Sequence, residues 1–109
     1  MVRTGVVLVN NEPAGNLSYH NGEYIFRYND DYFINDHKKA ISVTLRKTQQ
    51  EYRSKILFPF FFNMLSEGVN RNLQCRQLQI DENDYFGLLL AIGGTETIGA
   101  VSVKSISEL

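Results

Sequence analysis

The 109-residue sequence contains one cysteine, two prolines and no tryptophan. Because Cys75 stands alone, an internal disulfide and a zinc site built from cysteines are excluded, and a reducing compartment is favoured. The apolar run near the N-terminus, Val6 to Val9, is far below the length of a signal sequence or a membrane span. We therefore expect a soluble, cytoplasmic protein that has no membrane partner.

An excess of charge of one sign is also missing, since eleven lysines and arginines face twelve aspartates and glutamates. The chain as a whole therefore has no electrostatic attraction to nucleic acid or to an anionic membrane. What the sequence does have is apolar content, because 43% of its residues are hydrophobic, including six tyrosines and seven phenylalanines. This composition is typical of a globular domain, and residues 1–109 are predicted to form a single one.

The first part of the chain predicts antiparallel strands. Gly5 to Val9 is a β-branched run that ends at the turn residues Asn10 to Pro13. Asn21-Gly22 is the preferred pair for a two-residue hairpin turn, and it joins predicted strands that begin at Asn16 and end at Tyr28. Alternation along these strands gives one apolar face, expected to pack into the core: Leu17, Tyr19, Tyr24, Phe26 and Tyr28.

Residues 29–55 carry a weaker pattern. Asn29 to Asp31 predicts a turn, Tyr32 to Ile34 an apolar anchor, and Ala40 to Leu45 a short strand in an otherwise loosely specified loop. The segment holds six of the eleven basic residues, which are Lys38, Lys39, Arg46, Lys47, Arg53 and Lys55. With Tyr52 among them, three interpretations stay open: a solvated mobile loop, contact with an acidic protein surface, or nucleic-acid binding.

The second part of the chain predicts three short helices and a strand. The first helix runs from Pro59 to about residue 65, the second follows a cap at Ser66, and Asp81 caps a third that ends at Gly93-Gly94. The last strand is predicted over 98–103, with a bulge or a close backbone approach at Gly99. The expected fold is α+β, with a small, mostly antiparallel sheet, N-terminal hairpins, three short helices packed on one side and a C-terminal strand.

Groups that carry catalytic chemistry are scarce. His20 and His37 have no partner at a metal-ligand spacing, and Asp30-Asp31 is typical of a solvated turn. The glycine-containing stretch 93–99 lacks the lysine and the following helix of a phosphate-binding loop. We expect no catalytic residue, no metal site and no cofactor, so an autonomous enzyme is disfavoured.

From residue 57 onward the chain matches a known pattern. The matching residues are Phe60 to Gly68, Arg71, Leu73, Asp84 to Leu89, Ile92 to Gly94 and Gly99 to Val101. They resemble the N-terminal subdomain of HipA-type serine/threonine kinases, and the first half looks similar in its opening strand and hairpin. Two positions depart from the family, because Ser66 and Arg46 stand where proline is usual or frequent. The kinase core is not in this sequence, so the resemblance carries over no catalytic residue.

A separate copy of that subdomain looks like HipS, the small protein of the three-part HipBST toxin–antitoxin systems of bacteria. The resemblance implies a non-catalytic antitoxin that binds a HipT-like serine/threonine kinase in trans and inhibits it, with a helix-turn-helix HipB-like protein as a second partner. Direct specific nucleic-acid binding is not expected. Two alternatives stay open, namely an activating or folding subunit that completes the split kinase, and a DNA-binding corepressor that acts through the basic loop 38–55.

The aromatic stretch 57–73 is either core or docking surface, and a short helix cannot bury all its sides at once. The residues expected to face inward are Phe58, Phe61, Leu65, Val69 and Leu73. The residues predicted to face the kinase are Phe62, Met64, Ser66, Glu67, Gly68 and Arg71.

Overall fold

The computed structural model of the protein describes residues 3–65, 68–81, 83–91 and 100–105. Within these ranges one antiparallel sheet has the strand order β4-β3-β2-β1-β5. The strands are β1 (Arg3–Val9), β2 (Glu12–His20), β3 (Glu23–Tyr28), β4 (Glu51–Ser54) and β5 (Val101–Ser105). The helices are α1 (Asp30–Ile34), α2 (Pro59–Phe62), α3 (Gly68–Leu78) and α4 (Tyr85–Ala91). The predicted α+β class, with N-terminal hairpins and a C-terminal strand, is confirmed.

Two tight turns fold the first three strands. Asn10 and Asn11 (φ 52° and 66°) and Asn21 and Gly22 (φ 52° and 79°) all have left-handed backbones, as type I′ hairpin turns require. The second turn sets the predicted register, in which His20 pairs with Glu23 and every later pair follows. The first turn is shorter than predicted, since β2 begins at Glu12 and not at Asn16.

The core lies on one face of the sheet. The predicted inward face is confirmed, because Leu17, Phe26 and Tyr28 are fully buried while Tyr19 and Tyr24 are half-buried against them. Helix α4 packs against β5 and buries residues of its own on the same core. The aromatic rings of the core contact one another, and Phe26 lies edge-on to Tyr28 with 4.8 Å between the ring centroids.

Helix α4 begins one turn later than predicted. Its cap is Asp84, whose Oδ1 accepts the backbone N–H of Gly87 at 3.1 Å, whereas the side chain of Asp81 accepts the N–H of Asn83, at 2.8 Å, which lies before the helix. The prediction of Asp81 as the cap is therefore wrong, since the helical backbone starts only at Tyr85. The predicted helix stop at Gly93-Gly94 and the bulge at Gly99 lie outside the described residues.

The segment between β3 and β4 differs most from expectation. Asp30 and Asp31 open helix α1 and are not a simple turn, since carboxylates are favoured at the positive end of a helix. Residues 40–45 form no strand, although Ile41 and Leu45 are buried, and strand β4 lies instead over 51–54. Of the predicted apolar anchor, Tyr32 is buried and Ile34 is 73% exposed.

Candidate partner-binding surface

Helix α2 divides the aromatic stretch into an inner and an outer side. Pro59 occupies its first turn, where the missing N–H is no loss, and i→i+3 bonds continue the turn to Leu65. Phe58, Phe61 and Leu65 are buried, as predicted. Phe61 lies against Phe26 of the sheet, with 5.9 Å between the ring centroids, so this side of α2 belongs to the core.

The outer side of α2 presents half-buried rings. Phe62 packs edge-on against Tyr85 of helix α4, with 5.1 Å between the ring centroids and an interplanar angle of 82°. Phe60 is also half-buried, on the flank of α2 opposite to Phe62. Its ring lies edge-on to that of Phe61, with 5.3 Å between the ring centroids. The sequence predicted an exposed role for Phe62 but gave no sign that Tyr85, remote in the chain, would share its surface.

The remaining predicted site residues are placed differently. Met64 is buried in the core with 5% exposure, so the expectation that it lies on the surface is wrong. Ser66 and Glu67 lie outside the described residues. Gly68 and Arg71 belong to the first half of helix α3, and the side chain of Arg71 is not among those described.

Helix α3 ends in a well-formed cap. Gln79 adopts a left-handed backbone (φ 57°), and the N–H of Ile80 donates to the carbonyl of Cys75 at 2.8 Å. This is the hydrogen bond of a Schellman motif, which closes the last turn of a helix. Within the helix Cys75 is buried, whereas Leu73 is 47% exposed. The prediction that Leu73 faces inward is therefore wrong, because the helix is rotated to bury Cys75.

A bidentate ion pair joins the start of helix α4 to the first residue of strand β1. Arg3 Nη1 and Nη2 donate to Asp84 Oδ2 and Oδ1 at 2.9 and 2.6 Å. The hydrogen bond from Arg3 lowers the pKa of Asp84, against the effect of partial burial and with help from the N–H of Gly87. A Cβ atom at Gly87 would lie 2.7 Å from Asp84 Cγ, so glycine leaves room for this pair.

The segment 35–50 is anchored by side chains of its neighbours. The buried hydroxyl of Tyr28 accepts the N–H of Ile41 at 3.1 Å and donates to the carbonyl of Leu45, and burial raises the pKa of Tyr28 to about 12. The hydroxyls of Tyr32 and Tyr52 donate to two further carbonyls of the segment, each at 2.7 Å. The expectation of a loosely specified loop is therefore corrected.

Several basic residues of this region already have partners. Lys47 Nζ donates to the carbonyls of Asn35 and Lys38 at 2.5 and 2.7 Å and lies 5.3 Å from the ring centroid of Tyr32. Lys38 forms an ion pair with Glu12. Arg53 pairs with two glutamates, at 2.9 Å and 3.7 Å. These cations hold the fold together, which leaves fewer of them for contact with phosphates.

The described residues offer no arrangement of three or more histidine, cysteine, aspartate or glutamate side chains that suits a metal ion. None of the helices in the described ranges has the length and apolar character needed to cross a bilayer. Among the predicted site residues, the structure therefore describes one partly accessible aromatic side chain, Phe62, which contacts Tyr85 of helix α4.

Comparison with known proteins gives a consistent result. A family model described as HipA N-terminal domain matches residues 6–104. A protein of Haemophilus influenzae, described as an uncharacterized protein, is 31% identical over 104 residues, which make up 95% of this chain and 93% of that protein. A solved structure described as the N-terminal domain of HipA toxin matches with a TM-score of 0.72 and 29% identity, covering 95% of this chain and 92% of that chain. The similarity thus extends over almost the whole of each molecule.

Proposed function

The chain belongs to the HipA N-terminal domain family, and from this we propose that it is the non-catalytic antitoxin of a three-part toxin–antitoxin system. In this proposal it binds a HipT-like serine/threonine kinase in trans, at the position that the fused domain occupies in a HipA toxin, and inhibits it. A HipB-like DNA-binding protein is its further partner, and the complex acts in the cytoplasm.

The observation that supports this proposal is the extent of the similarity. The 104 aligned residues make up 93% of the Haemophilus influenzae protein, so that protein has no room for a kinase core beside the shared domain. In the solved relative the same domain is described as the N-terminal part of a toxin. A domain that is separate in one protein and part of a toxin in another is suited to bind the rest of such a toxin from outside.

The proposed kinase contact is centred on Phe62. Its ring is half-buried and supported edge-on by Tyr85, which keeps its orientation fixed while part of its area stays accessible. Rigid, partly exposed aromatic side chains contribute much of the binding energy in protein interfaces, because they bury a large area at a small entropic cost. Ser66, Glu67, Gly68 and Arg71 follow Phe62 in the chain and belong to the same proposed contact. Met64 is buried in the core and is not part of the proposed contact.

Replacing Phe62 tests this contact. Phe62→Glu is expected to weaken binding to the HipA-type kinase encoded in the same genome by at least about tenfold, because a carboxylate replaces the proposed aromatic anchor. The matched control is Phe60→Glu, since Phe60 is also a half-buried phenylalanine of α2 but lies on its other side. Isothermal titration measures both affinities and circular dichroism checks the fold. Equal binding by wild type and a folded Phe62→Glu would contradict the assignment.

The sign of the effect distinguishes inhibition from the second candidate, an activating or folding subunit. Cells that express the kinase alone are compared with cells that express the kinase together with this chain. An antitoxin restores growth, whereas an activating subunit makes growth inhibition stronger. The DNA-binding corepressor is less well supported, because Lys38, Lys47 and Arg53 of the basic loop already bind partners within the protein.

A further inference from the structure

The guanidinium group of Arg3 holds helix α4 on both sides of Tyr85. Its two terminal nitrogens donate to the two carboxylate oxygens of Asp84, at 2.9 and 2.6 Å. Its Cζ also lies over the ring of Phe86, 5.5 Å from the ring centroid, where a cation is attracted by the face of the ring. Asp84 and Phe86 are the chain neighbours of Tyr85. One side chain of strand β1 thus anchors the residue before Tyr85 and the residue after it.

The first turn of helix α4 depends on this anchor for its direction. The helix has seven residues, and helices of that length are not stable by themselves. Its buried side chains hold it on the core, but apolar burial is non-directional. The carboxylate of Asp84 also accepts the N–H of Gly87 at 3.1 Å, so the group that caps the helix is the group that Arg3 holds. A bidentate pair of this kind specifies direction as well as distance.

The ring of Tyr85 in turn contacts the ring of Phe62. The two rings meet edge-on, with 5.1 Å between the centroids and an interplanar angle of 82°, which is a geometry that aromatic pairs favour. Phe62 is the last residue of α2, a helix of only four residues, so contacts with neighbouring elements decide where its ring lies. A chain of contacts therefore runs from Arg3 through the start of α4 to the centre of the proposed kinase contact.

We propose that Arg3 is a positioning residue for the kinase contact, which acts through Tyr85 to hold the Phe62 ring in the orientation that the kinase binds. This proposal rests on the proposed function and deepens it, because it assigns part of the affinity to a residue outside the contact itself. An aromatic side chain that is already ordered in the free protein loses less entropy on binding. The side chain of Arg3 is 35% exposed, so the test has to distinguish positioning from direct contact with the kinase.

A double-mutant cycle between Arg3→Gln and Phe62→Ala makes this distinction. Arg3→Gln is expected to weaken binding to the purified HipA-type kinase by about three- to tenfold, which is the usual cost of ordering one side chain on binding. In a chain that already carries Phe62→Ala, the same substitution should change the affinity by less than about twofold, because the ring that Arg3 positions is absent. Isothermal titration, at a temperature where circular dichroism shows all variants folded, measures the four affinities.

The matched control is Arg27→Gln. Arg27 of strand β3 pairs with Asp30, the first residue of helix α1, so this pair also joins a strand to the start of a helix. Arg27→Gln removes the same charge and should leave the affinity unchanged. In the free protein, the NMR shifts of the Phe62 and Tyr85 ring protons should change in Arg3→Gln but not in Arg27→Gln.

A second variant keeps the test valid if Arg3→Gln does not fold. Arg3→Lys retains the charge but cannot make two parallel hydrogen bonds to the carboxylate. It takes the place of Arg3→Gln in the cycle and should weaken binding by a smaller factor, again with little effect when Phe62→Ala is present.

The possible results separate this inference from the proposed function. If the wild type binds and folded Arg3→Gln binds equally well, the positioning role is refuted while the proposed function stands. If the Arg3 substitution weakens binding by the same factor with and without Phe62→Ala, Arg3 contacts the kinase directly and the proposal is overturned. Ring-proton shifts that stay as in the wild type overturn it as well. If the wild type itself does not bind the kinase, the proposed function fails and this inference fails with it.

Discussion

Residues 35–50 and helix α3 differ in what holds them in place. The first segment has no helix or strand, yet five of its carbonyls accept hydrogen bonds from Tyr28, Tyr32, Tyr52 and Lys47. Helix α3 is regular and capped, yet among its described side chains only Cys75 is buried. The irregular segment is thus fixed by neighbours, whereas the helix is largely fixed by its own backbone bonds.

The two regions also differ in which side chains remain accessible at the surface. Lys38, Lys47 and Arg53 are bound within the protein, so three of the six basic residues of this region are already engaged. A helix that satisfies its own backbone can leave apolar side chains in water, where a partner can bury them. The irregular segment is therefore part of the scaffold, whereas helix α3 leaves Leu73 and Leu78 partly exposed.

The largest effect on stability is expected where the irregular segment is anchored. Tyr28→Phe removes a buried hydroxyl that both accepts from Ile41 and donates to Leu45, which leaves two buried backbone groups unpaired. We expect a loss of about 1–3 kcal/mol in the free energy of unfolding, measured by urea denaturation.

The control for that substitution is Tyr52→Phe, whose hydroxyl makes a single exposed bond to the carbonyl of Arg46 and should cost less. If Tyr28→Phe proves no more destabilising than Tyr52→Phe, the segment is not held as described, and the contrast with α3 loses its basis.

A smaller effect is expected at the anchor of helix α4. Asp84→Asn keeps an acceptor for the N–H of Gly87 but removes the charge that pairs with Arg3, at a cost of about 1 kcal/mol near neutral pH. Because the folded-state pKa of Asp84 is lowered from 3.8, its stabilisation is present above that value and is lost as the pH falls through the lowered pKa. Wild type and variant should therefore converge in stability in strong acid, as followed by denaturation at several pH values.

Asp36→Asn is the control for the acid dependence, since Asp36 is exposed, lies outside any helix and has no ion pair with a residue in the described ranges. A difference between wild type and Asp84→Asn that stays constant from neutral pH into strong acid would show that the Arg3 pair does not produce the lowered pKa.

The smallest effect is expected on helix α3. Leu73→Ala removes a side chain that is 47% exposed and introduces a better helix former, so stability should change by no more than about 0.5 kcal/mol. Leu78→Ala should behave in the same way. A loss above about 1.5 kcal/mol at either position would show that the leucine is packed in the core and not available to a partner.

The sequence was sufficient to predict features that local residues determine. Asn21-Gly22 gave the hairpin turn, and its two-residue length fixed the register that places Leu17 and Phe26 inward. Pro59 marked the start of α2, and the apolar run after Asp84 marked helix α4. In each case the signal and the structure lie within a few residues of each other, so that no distant contact decides the outcome.

Features that depend on distant contacts were missed. Strand β4 has Tyr52 as its single apolar residue, and it forms because it pairs with β3 across more than twenty intervening residues. The carbonyls that Tyr28 and Tyr52 reach are likewise invisible in the local pattern. Helix α3 is rotated so that Cys75 is buried and Leu73 is exposed, although the sequence predicted that Leu73 faces inward. Met64 was misplaced because the tight turn after α2 carries it back into the core.

The proposed antitoxin role is tested by the rate of kinase autophosphorylation, measured at increasing concentrations of this chain. We expect the wild-type chain to form a complex with the HipA-type kinase and autophosphorylation to fall until the complex is saturated, while folded Phe62→Glu needs a higher concentration for the same effect. A rate that stays constant or rises at saturating concentrations of the wild-type chain would contradict the antitoxin role.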